Sequence, residues 1–281
     1  MLDTANDISA QVQIDVERAL QEDVGSGDVT AALVPELQMV TAAIICREEA
    51  IICGRQWVDE ILRRVAPTSV AQWFVEDGEA CTSRQTVVEI SGPARDLLTA
   101  ERACLNFLQT LSAVATKAAK YVEAVAGTNA VVLDTRKTIP GLRVAQKYAV
   151  RCGGGSNHRM GLYDAILIKE NHIAACGGLT AAYAAAKRLS DKVSFIQGEV
   201  ETLTQLQEAI DAGVNMVLDL ANTEYRGVAT SGSSERGEHI WNPKASGKAP
   251  ARELLQVSVV AKDLVTADIW ATAAFAEGPR A

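Results

Sequence analysis

The feature that most constrains the fold is an alternation of strand-like and helix-like segments that begins near residue 128. Four short apolar runs carry a charged residue at or next to their last position, and segments with helical spacing separate the later runs. The runs are AVVLD at 130–134, DAILIK at 164–169, VSFIQGEV at 193–200 and NMVLD at 215–219, and the helical segments are 177–190 and 201–213. Strands that alternate with helices predict parallel β-α units, in a barrel or an open sheet.

The first hundred residues have a different, mixed pattern. Apolar residues recur at helical spacing in 8–20 and 57–65, and residues 96–125 contain neither proline nor glycine, which favours one long helix. Short apolar runs in 41–54, 70–75 and 86–90 are typical of strands. The sequence therefore predicts an α/β protein with two differently built parts.

Charged residues follow the predicted strands of the second part. They are Asp134, Arg136, Lys137, Lys169, Glu170, Glu199 and Asp219. The carboxyl ends of parallel strands meet at one rim, where barrel and open-sheet enzymes place their chemistry. The alternative is that each strand simply ends in a solvated loop.

Residues 134–172 form a basic segment in an otherwise acidic chain. This segment holds seven Lys and Arg residues against three acids, whereas the whole chain has a net charge of −8. It lacks the interleaved aromatic residues that stack on bases, so we expect no nucleic-acid partner. A small polyanion, which arginine binds through two parallel hydrogen bonds, fits the segment better. A solvated basic face is the alternative.

Two acids indicate a metal. Glu199 and Asp219 follow adjacent predicted strands, one β-α unit apart. Two carboxylates with a substrate pyrophosphate are a usual way to hold Mg²⁺. The same acids could instead pair with the nearby basic residues.

Several other function classes lack their sequence patterns. The chain has no GxxxxGK[ST] loop, no GxGxxG after a strand, no HExxH and no GxSxG. Its six cysteines form no CxxC pair, and its amino terminus has no signal-peptide pattern. No run reaches the about 18 apolar residues of a membrane span. We therefore expect a cytoplasmic protein with reduced thiols and no membrane contact.

Longer motifs resemble one family. ERACLNFLQTLSAVAT (101–116), LDTRKTIPGLR (133–143), KYAVRCGGGSNHRMGLYDAILIKENHI (147–173) and GEVETL (198–203) closely resemble quinolinate phosphoribosyltransferase, the decarboxylating type II phosphoribosyltransferase of NAD synthesis. The similarity runs from about residue 10 to 220.

The resemblance implies a fold and a reaction. The fold is an open α/β amino-terminal domain, here residues 1–112, joined to an incomplete α/β barrel, here 113–261, with 262–281 a possible addition to the first domain. The reaction joins quinolinate to phosphoribosyl pyrophosphate and gives nicotinate mononucleotide, carbon dioxide and pyrophosphate. The family forms homodimers whose sites are completed by the neighbouring subunit.

The resemblance also assigns roles to residues. Arg136, His158, Arg159 and Lys169 resemble the quinolinate pocket, and Arg102 the arginine donated across the dimer. Lys137 resembles the lysine that contacts the phosphoribosyl substrate. Glu199 and Asp219 resemble the acids that bind Mg²⁺ and the ribose hydroxyls. The glycines of CGGGSNHRMG (152–161) are then expected to present His158 and Arg159 to quinolinate, and not to cradle a phosphate.

The last 60 residues depart from the family pattern. Leu220 stands where the family has asparagine, and only Ser246 and Gly247 match its phosphate loop. The run LLQVSVVA (254–261) resembles the following strand, whereas 227–239 is more typical of a loop than of the expected helix. Two alternatives to a working enzyme follow: an impaired homologue that binds quinolinate or a similar dicarboxylate, and a related transferase for another base. The arginine-rich pocket argues against the latter.

Overall fold

The computed structural model describes residues 8–128, 131–200, 205, 208–209, 211–214, 227–232 and 256–261. These residues divide into two compact units. The amino-terminal unit comprises residues 8–120 and 137–155, and the carboxyl-terminal unit comprises 121–128, 131–136 and the described residues from 156 onward. The predicted domain boundary after residue 112 stays a prediction, and residues 262–281 lie outside the described part.

The amino-terminal unit combines helices with small antiparallel sheets. Its helices are α1 (Ser9–Asp23), α2 (Arg55–Val65), α3 (Ala94–Ala124), which begins in this unit, and α4 (Arg143–Cys152). Its strands are β1 (Met39–Ile45), β2 (Ala50–Ile51), β3 (Val70–Trp73), β4 (Ala80–Cys81) and β5 (Thr86–Pro93). Strand β5 lies between β1 and β3, and β2 pairs with β4, all antiparallel. None of the described helices is both long and apolar enough to cross a membrane.

Trp57 lies at the centre of this unit's core. Its side chain is fully buried and contacts the rings of Phe107 and Tyr148, with centroids 6.1 and 5.7 Å away. Its indole Nε1 donates to Asp15 Oδ2 at 3.1 Å, and Asp15 also accepts from Gln11 Nε2 at 2.6 Å. Because buried polar groups are tolerated when they are hydrogen-bonded, these contacts tie α1 to α2 inside the core.

The three consecutive glycines end α4. The N–H of Gly155 donates to Val150 O at 3.0 Å and that of Gly154 to Arg151 O at 2.9 Å, which is the paired bonding of a Schellman motif. Gly154 has φ +83°, the left-handed conformation that this motif requires. A Cβ on Gly153 would lie 2.3 Å from Ala115 O and 2.7 Å from Ala118 Cβ of α3. Helix termination therefore explains Gly154, and close packing explains Gly153.

The carboxyl-terminal unit confirms one predicted parallel pair of strands, β6 (Ile166–Ile168) with β7 (Ile196–Gly198), whereas the predicted strand at 215–219 lies outside the described residues. Leu133 also forms a parallel bridge with Ser156. Helices α5 (Glu170–Cys176) and α6 (Leu179–Lys187) connect β6 to β7. Their apolar faces pack together in a small core around the fully buried Leu179.

One predicted loop is a strand. Residues 254–261 were expected to form a strand, and β9 (Gln256–Ala261) confirms this. Residues 227–239 were expected to form a loop, and this prediction is wrong for residues 227–232. These six residues form β8 (Gly227–Gly232), which pairs antiparallel with β9. The glycines and serines of this stretch hide a strand whose partner lies more than twenty residues further along the chain.

We expect Gly153→Ala to lower the free energy of unfolding by about 1–3 kcal/mol, because the added methyl group overlaps backbone atoms of α3. Urea unfolding followed by circular dichroism measures this loss. Glu123→Ala, at an exposed position of α3, is the control and should change the free energy of unfolding by less than about 0.5 kcal/mol. Equal effects of the two substitutions would contradict the packing assigned to Gly153.

Candidate active site

Asp134 joins two chain segments of the carboxyl-terminal unit by hydrogen bonds. Its N–H donates to Ser156 O at 3.1 Å, which continues the parallel bridge of Leu133. Its carboxylate accepts from His158 N at 2.9 Å and from Asn157 Nδ2 at 2.5 Å. The segment that carries Arg136 is thereby held against the segment that carries His158 and Arg159.

His158 is held on three sides. Besides its backbone bond to Asp134, its Nε2 lies 2.9 Å from Gln197 Oε1 of β7, and its ring meets the edge of Phe195 at 4.9 Å between centroids. The oxygen of Gln197 can only accept, so Nε2 carries a hydrogen in this arrangement. These contacts fix the orientation of the imidazole ring.

Arg159 and Arg136 bring two guanidinium groups together. Arg159 is 7% exposed, and its Nη1 donates to Ala165 O at 3.2 Å. Burial lowers the pKa of the Arg159 guanidinium, and the positive charge of Arg136 lowers it further. The Nε of Arg136 is itself buried and has no hydrogen-bond partner among the described residues. Two like charges with a buried donor left over are costly, and a bound anion removes that cost.

Asp164 only partly balances these charges. Its carboxylate raises the pKa of Arg159, opposite to the effect of Arg136. Both of its oxygens, however, accept backbone hydrogen bonds, from Met160 N at 2.7 Å and from Gly161 N at 2.9 Å. Asp164 thus shapes the turn that follows Arg159, and the two arginines keep donors for a ligand.

Lys169 and Glu199 meet because their strands are parallel neighbours. Ile168 of β6 is in register with Gly198 of β7, so the next residue of each strand lies at the same end. Lys169 Nζ lies 3.2 Å from Glu199 Oε2, and their side chains are 43% and 51% exposed. An ion pair this exposed contributes little energy, so a charged ligand can replace either partner.

The remaining predicted site residues are Arg102, Lys137, Asp219, Ser246 and Gly247. Lys137 and Arg102 belong to the amino-terminal unit, where both are exposed, Arg102 on α3. Asp219, Ser246 and Gly247 lie outside the described residues. Their roles stay predictions.

The magnesium prediction concerns only Glu199 among the described residues. Within that part of the chain, the group of three side chains close enough to share a metal ion is Cys53, Asp77 and Cys152 in the amino-terminal unit, and it does not include Glu199. One exposed carboxylate suits Mg²⁺ that is held mainly by substrate phosphates and water. Glu199 fits that arrangement.

Sequence reasoning missed the residues that hold the site together. Asp134, Gln197 and Phe195 position His158 but were assigned no such role. The one available indication was Asp134 at a strand end in front of two basic residues. Gln197 and Phe195 gave none, because their contact with His158 spans about forty residues of sequence.

Comparison with known proteins decides the family. The family model for the quinolinate phosphoribosyl transferase C-terminal domain matches residues 114–247, and that for the N-terminal domain matches residues 28–112. The chain belongs to the quinolinate phosphoribosyltransferase family. This membership confirms the predicted α/β fold class, with its open amino-terminal domain and incomplete barrel.

Individual family members are similar over most of the chain. A nicotinate-nucleotide pyrophosphorylase (carboxylating) from Mycobacterium leprae is 41% identical over 207 residues, 72% of this chain and 72% of that protein. The solved structure of the nicotinate-nucleotide pyrophosphorylase from Francisella tularensis matches at a TM-score of 0.72 and 42% identity, over 75% of each chain. The solved structure of NadC from Streptococcus pyogenes matches at a TM-score of 0.70 and 38% identity, over 77% of this chain and 79% of the NadC chain.

We expect Asp134→Ala to loosen the segment around His158, because the backbone N–H of His158 loses its charged acceptor. Hydrogen–deuterium exchange of peptides covering residues 156–160 should become about tenfold faster, which corresponds to roughly one charged hydrogen bond. Asp191→Ala, at an exposed acid of the same unit, should leave that exchange unchanged. Unchanged exchange in Asp134→Ala would show that the carboxylate does not hold the segment.

Proposed function

We propose that this protein transfers the phosphoribosyl group of phosphoribosyl pyrophosphate to quinolinate with decarboxylation, and so makes nicotinate mononucleotide for NAD synthesis. Family membership supports this, as do the relatives that are named nicotinate-nucleotide pyrophosphorylase or quinolinate phosphoribosyltransferase. The six cysteines are all free thiols, which supports a reducing compartment such as the cytoplasm.

The observation that carries the proposal is the pair Arg136 and Arg159. Quinolinate is a planar dianion with two adjacent carboxylates. Two guanidinium forks that lie near each other match two adjacent carboxylates, and such charge-assisted pairs fix both position and plane. The buried Nε of Arg136 would gain the acceptor that it lacks among the described residues.

His158 and Lys169 complete the proposed quinolinate pocket. The Nε2 hydrogen of His158 points at Gln197, so its ring offers the substrate a fixed surface and a local dipole. Lys169 can exchange its weak pairing with Glu199 for a substrate carboxylate, which frees Glu199 for the second substrate. Arg102 of a second subunit would add a further positive charge.

The phosphoribosyl half rests on Lys137, Glu199 and Asp219, with Ser246 and Gly247 at the 5-phosphate. Mg²⁺ bound with the pyrophosphate would neutralise its charge. Lys137 would contact the same phosphates. The carboxylates of Glu199 and Asp219 would lie near the ribose and bind its hydroxyls.

The proposed reaction needs positioning and electrostatics, and no covalent nucleophile from the protein. The arginines hold the quinolinate nitrogen facing the anomeric carbon. As pyrophosphate leaves, positive charge develops on the ribose, and the carboxylates of Glu199 and Asp219 stabilise it. The new N-glycosidic bond makes the ring nitrogen cationic. It then accepts the electron pair released when the adjacent carboxylate leaves as carbon dioxide, and a proton replaces that carboxylate on the ring.

Turnover tests the proposal directly. Protein incubated with quinolinate, phosphoribosyl pyrophosphate and Mg²⁺ should release carbon dioxide and form nicotinate mononucleotide in equal amounts. Quinolinate binding without turnover at high protein concentration would instead support the impaired homologue. No described observation favours that alternative.

We expect Arg136→Lys to raise KM for quinolinate about 10- to 100-fold, because lysine keeps the charge but loses the two-pronged hydrogen bonding. The KM for phosphoribosyl pyrophosphate should change much less. Steady-state kinetics with each substrate varied in turn measures both. Arg188→Lys, at an exposed arginine of the same unit, is the matched control. An unchanged quinolinate KM in Arg136→Lys would refute the pocket.

We also propose that the protein is a homodimer with shared sites. The amino-terminal unit carries a largely apolar groove between β1 and α3. Its lining includes Val40, Ala42, Ile44, Leu97, Leu98 and Glu101. Leu98 is 48% exposed, and β1 is exposed at five of its seven positions. A surface of this kind supports contact with a second copy, and Arg102 stands on the same helix.

Mixing two inactive variants tests the shared site. Arg102→Ala and Arg136→Ala should each be nearly inactive alone, because every site lacks one arginine. Unfolded together and refolded, they should recover about a quarter of wild-type activity, since half of the dimers then contain one intact site. Refolding each variant alone is the control. No recovery in the mixture, with dimers shown by sedimentation, would contradict sharing through Arg102.

A further inference from the structure

Two cysteines of the amino-terminal unit, neither of them assigned to the proposed reaction, lie together. Cys53 directly precedes Gly54, the residue before α2, and Cys152 is the last residue of α4. The two sulfur atoms and a carboxylate oxygen of Asp77 all lie within 4.8 Å of one another. The backbone there is close-packed, since a Cβ on Gly78 would lie 3.3 Å from Cys152 O.

Asp77 already has a structural role in this cluster. Its Oδ1 accepts from Gly54 N at 2.9 Å and from Arg55 N at 3.1 Å, so it caps the amino terminus of α2. Its Oδ2 accepts from the hydroxyl of Tyr148 at 2.9 Å. Because Asp77 is committed to these three donors, the chemistry left to the cluster is that of its two sulfur atoms. Two thiols are fewer ligands than structural zinc sites use.

The two thiols differ in accessibility and in acidity. Cys53 is fully buried, whereas Cys152 is half-buried. A hydrogen bond from Cys53 lowers the pKa of the Cys152 thiol, with smaller contributions from Tyr148 and Arg151 in the same direction, against the opposing effects of burial and Asp77. The same hydrogen bond and burial raise the pKa of Cys53. An attacking thiol typically has a low pKa and access to solvent. A resolving thiol can be buried next to the attacking thiol.

We propose that Cys152 and Cys53 form a reactive dithiol that exchanges with small-molecule disulfides and closes to an intramolecular disulfide. The Cys152 thiolate attacks one sulfur of the small disulfide, forms a mixed disulfide and releases one thiolate. Cys53 then gives up its proton and attacks the Cys152 sulfur, which releases the second thiolate. The two cysteines are oxidised, and one small disulfide is reduced to two thiols.

The closing step needs a movement of the two sulfur atoms toward each other. The sulfur atoms must approach from within 4.8 Å to a bond of about 2.05 Å. A rotation about the Cα–Cβ bond of the half-buried Cys152 moves its sulfur, while Cys53 stays in the core. The bond would join Cys53, two residues before α2, to the end of α4, where the glycine turn toward Ser156 begins.

Oxidised glutathione followed by mass spectrometry tests the dithiol. All proteins carry Cys46→Ser and Cys176→Ser, which remove the half-buried and the exposed cysteine outside the pair. The protein with Cys53 and Cys152 intact should lose two hydrogen atoms and give a crosslinked Cys53–Cys152 peptide, reversed by dithiothreitol. Cys53→Ser should instead keep one glutathionyl group on Cys152, and Cys53→Ala serves the same purpose if serine disturbs the core. Cys152→Ser should form neither product.

Cys104→Ser is the matched control, because burial raises the pKa of the Cys104 thiol to about 12 and it should not take part. Glutathionylation of Cys53 when Cys152 is serine would overturn the assignment of Cys152 as the attacking thiol. A stable mixed disulfide on Cys152 while Cys53 is present would overturn the resolving step. No reaction at either cysteine would overturn the proposal.

Discussion

The repulsion between two guanidinium groups is the constraint on which the site depends. Arg136 and Arg159 lie near enough for the charge of one to lower the pKa of the other, and Arg159 is almost completely buried. A folded chain tolerates such a pair when the surrounding structure fixes it and when an anion can share the charge. A dianion with adjacent carboxylates is the ligand that best matches two adjacent forks, which ties the electrostatics of this chain to the quinolinate chemistry of its family.

The frame that holds the pair is built from backbone pairing more than from side-chain charge. The parallel bridge of Leu133 and Ser156 brings the two arginine-bearing segments together, and Asp134 fastens them by three hydrogen bonds. The pairing of β6 with β7 places Lys169 beside Glu199 and aims Gln197 at His158. The glycine turn after α4 leads directly to Ser156. The site side chains on these described segments therefore start from a backbone that is already fixed, which is the arrangement that catalysis by positioning requires.

Sequence patterns predicted the elements whose stability is local. Apolar spacing and helix propensity agree in three predicted helices, which the structure confirms as α1, α2 and α3. The predicted ranges were 8–20, 57–65 and 96–125. Helices α4 and α5 were missed: they are short, and the glycines and charges around them dominate the pattern. Arg136, His158, Arg159 and Lys169 could be named from strand ends and family motifs. The hydrogen bonds of Asp134 and Gln197 could not be predicted from the sequence, since they join residues 23 to 39 positions apart and depend on the fold.

Calorimetric titration of the wild-type protein with three acids tests the central claim most directly. Quinolinate and benzene-1,2-dicarboxylate carry two adjacent carboxylates, whereas nicotinate keeps the pyridine ring but has one. If Arg136 and Arg159 each bind a carboxylate, both dicarboxylates should bind at least about tenfold more tightly than nicotinate, since a lost charged hydrogen-bond pair costs about 1.5–3 kcal/mol. Equal affinity for nicotinate and quinolinate would contradict a paired-arginine site.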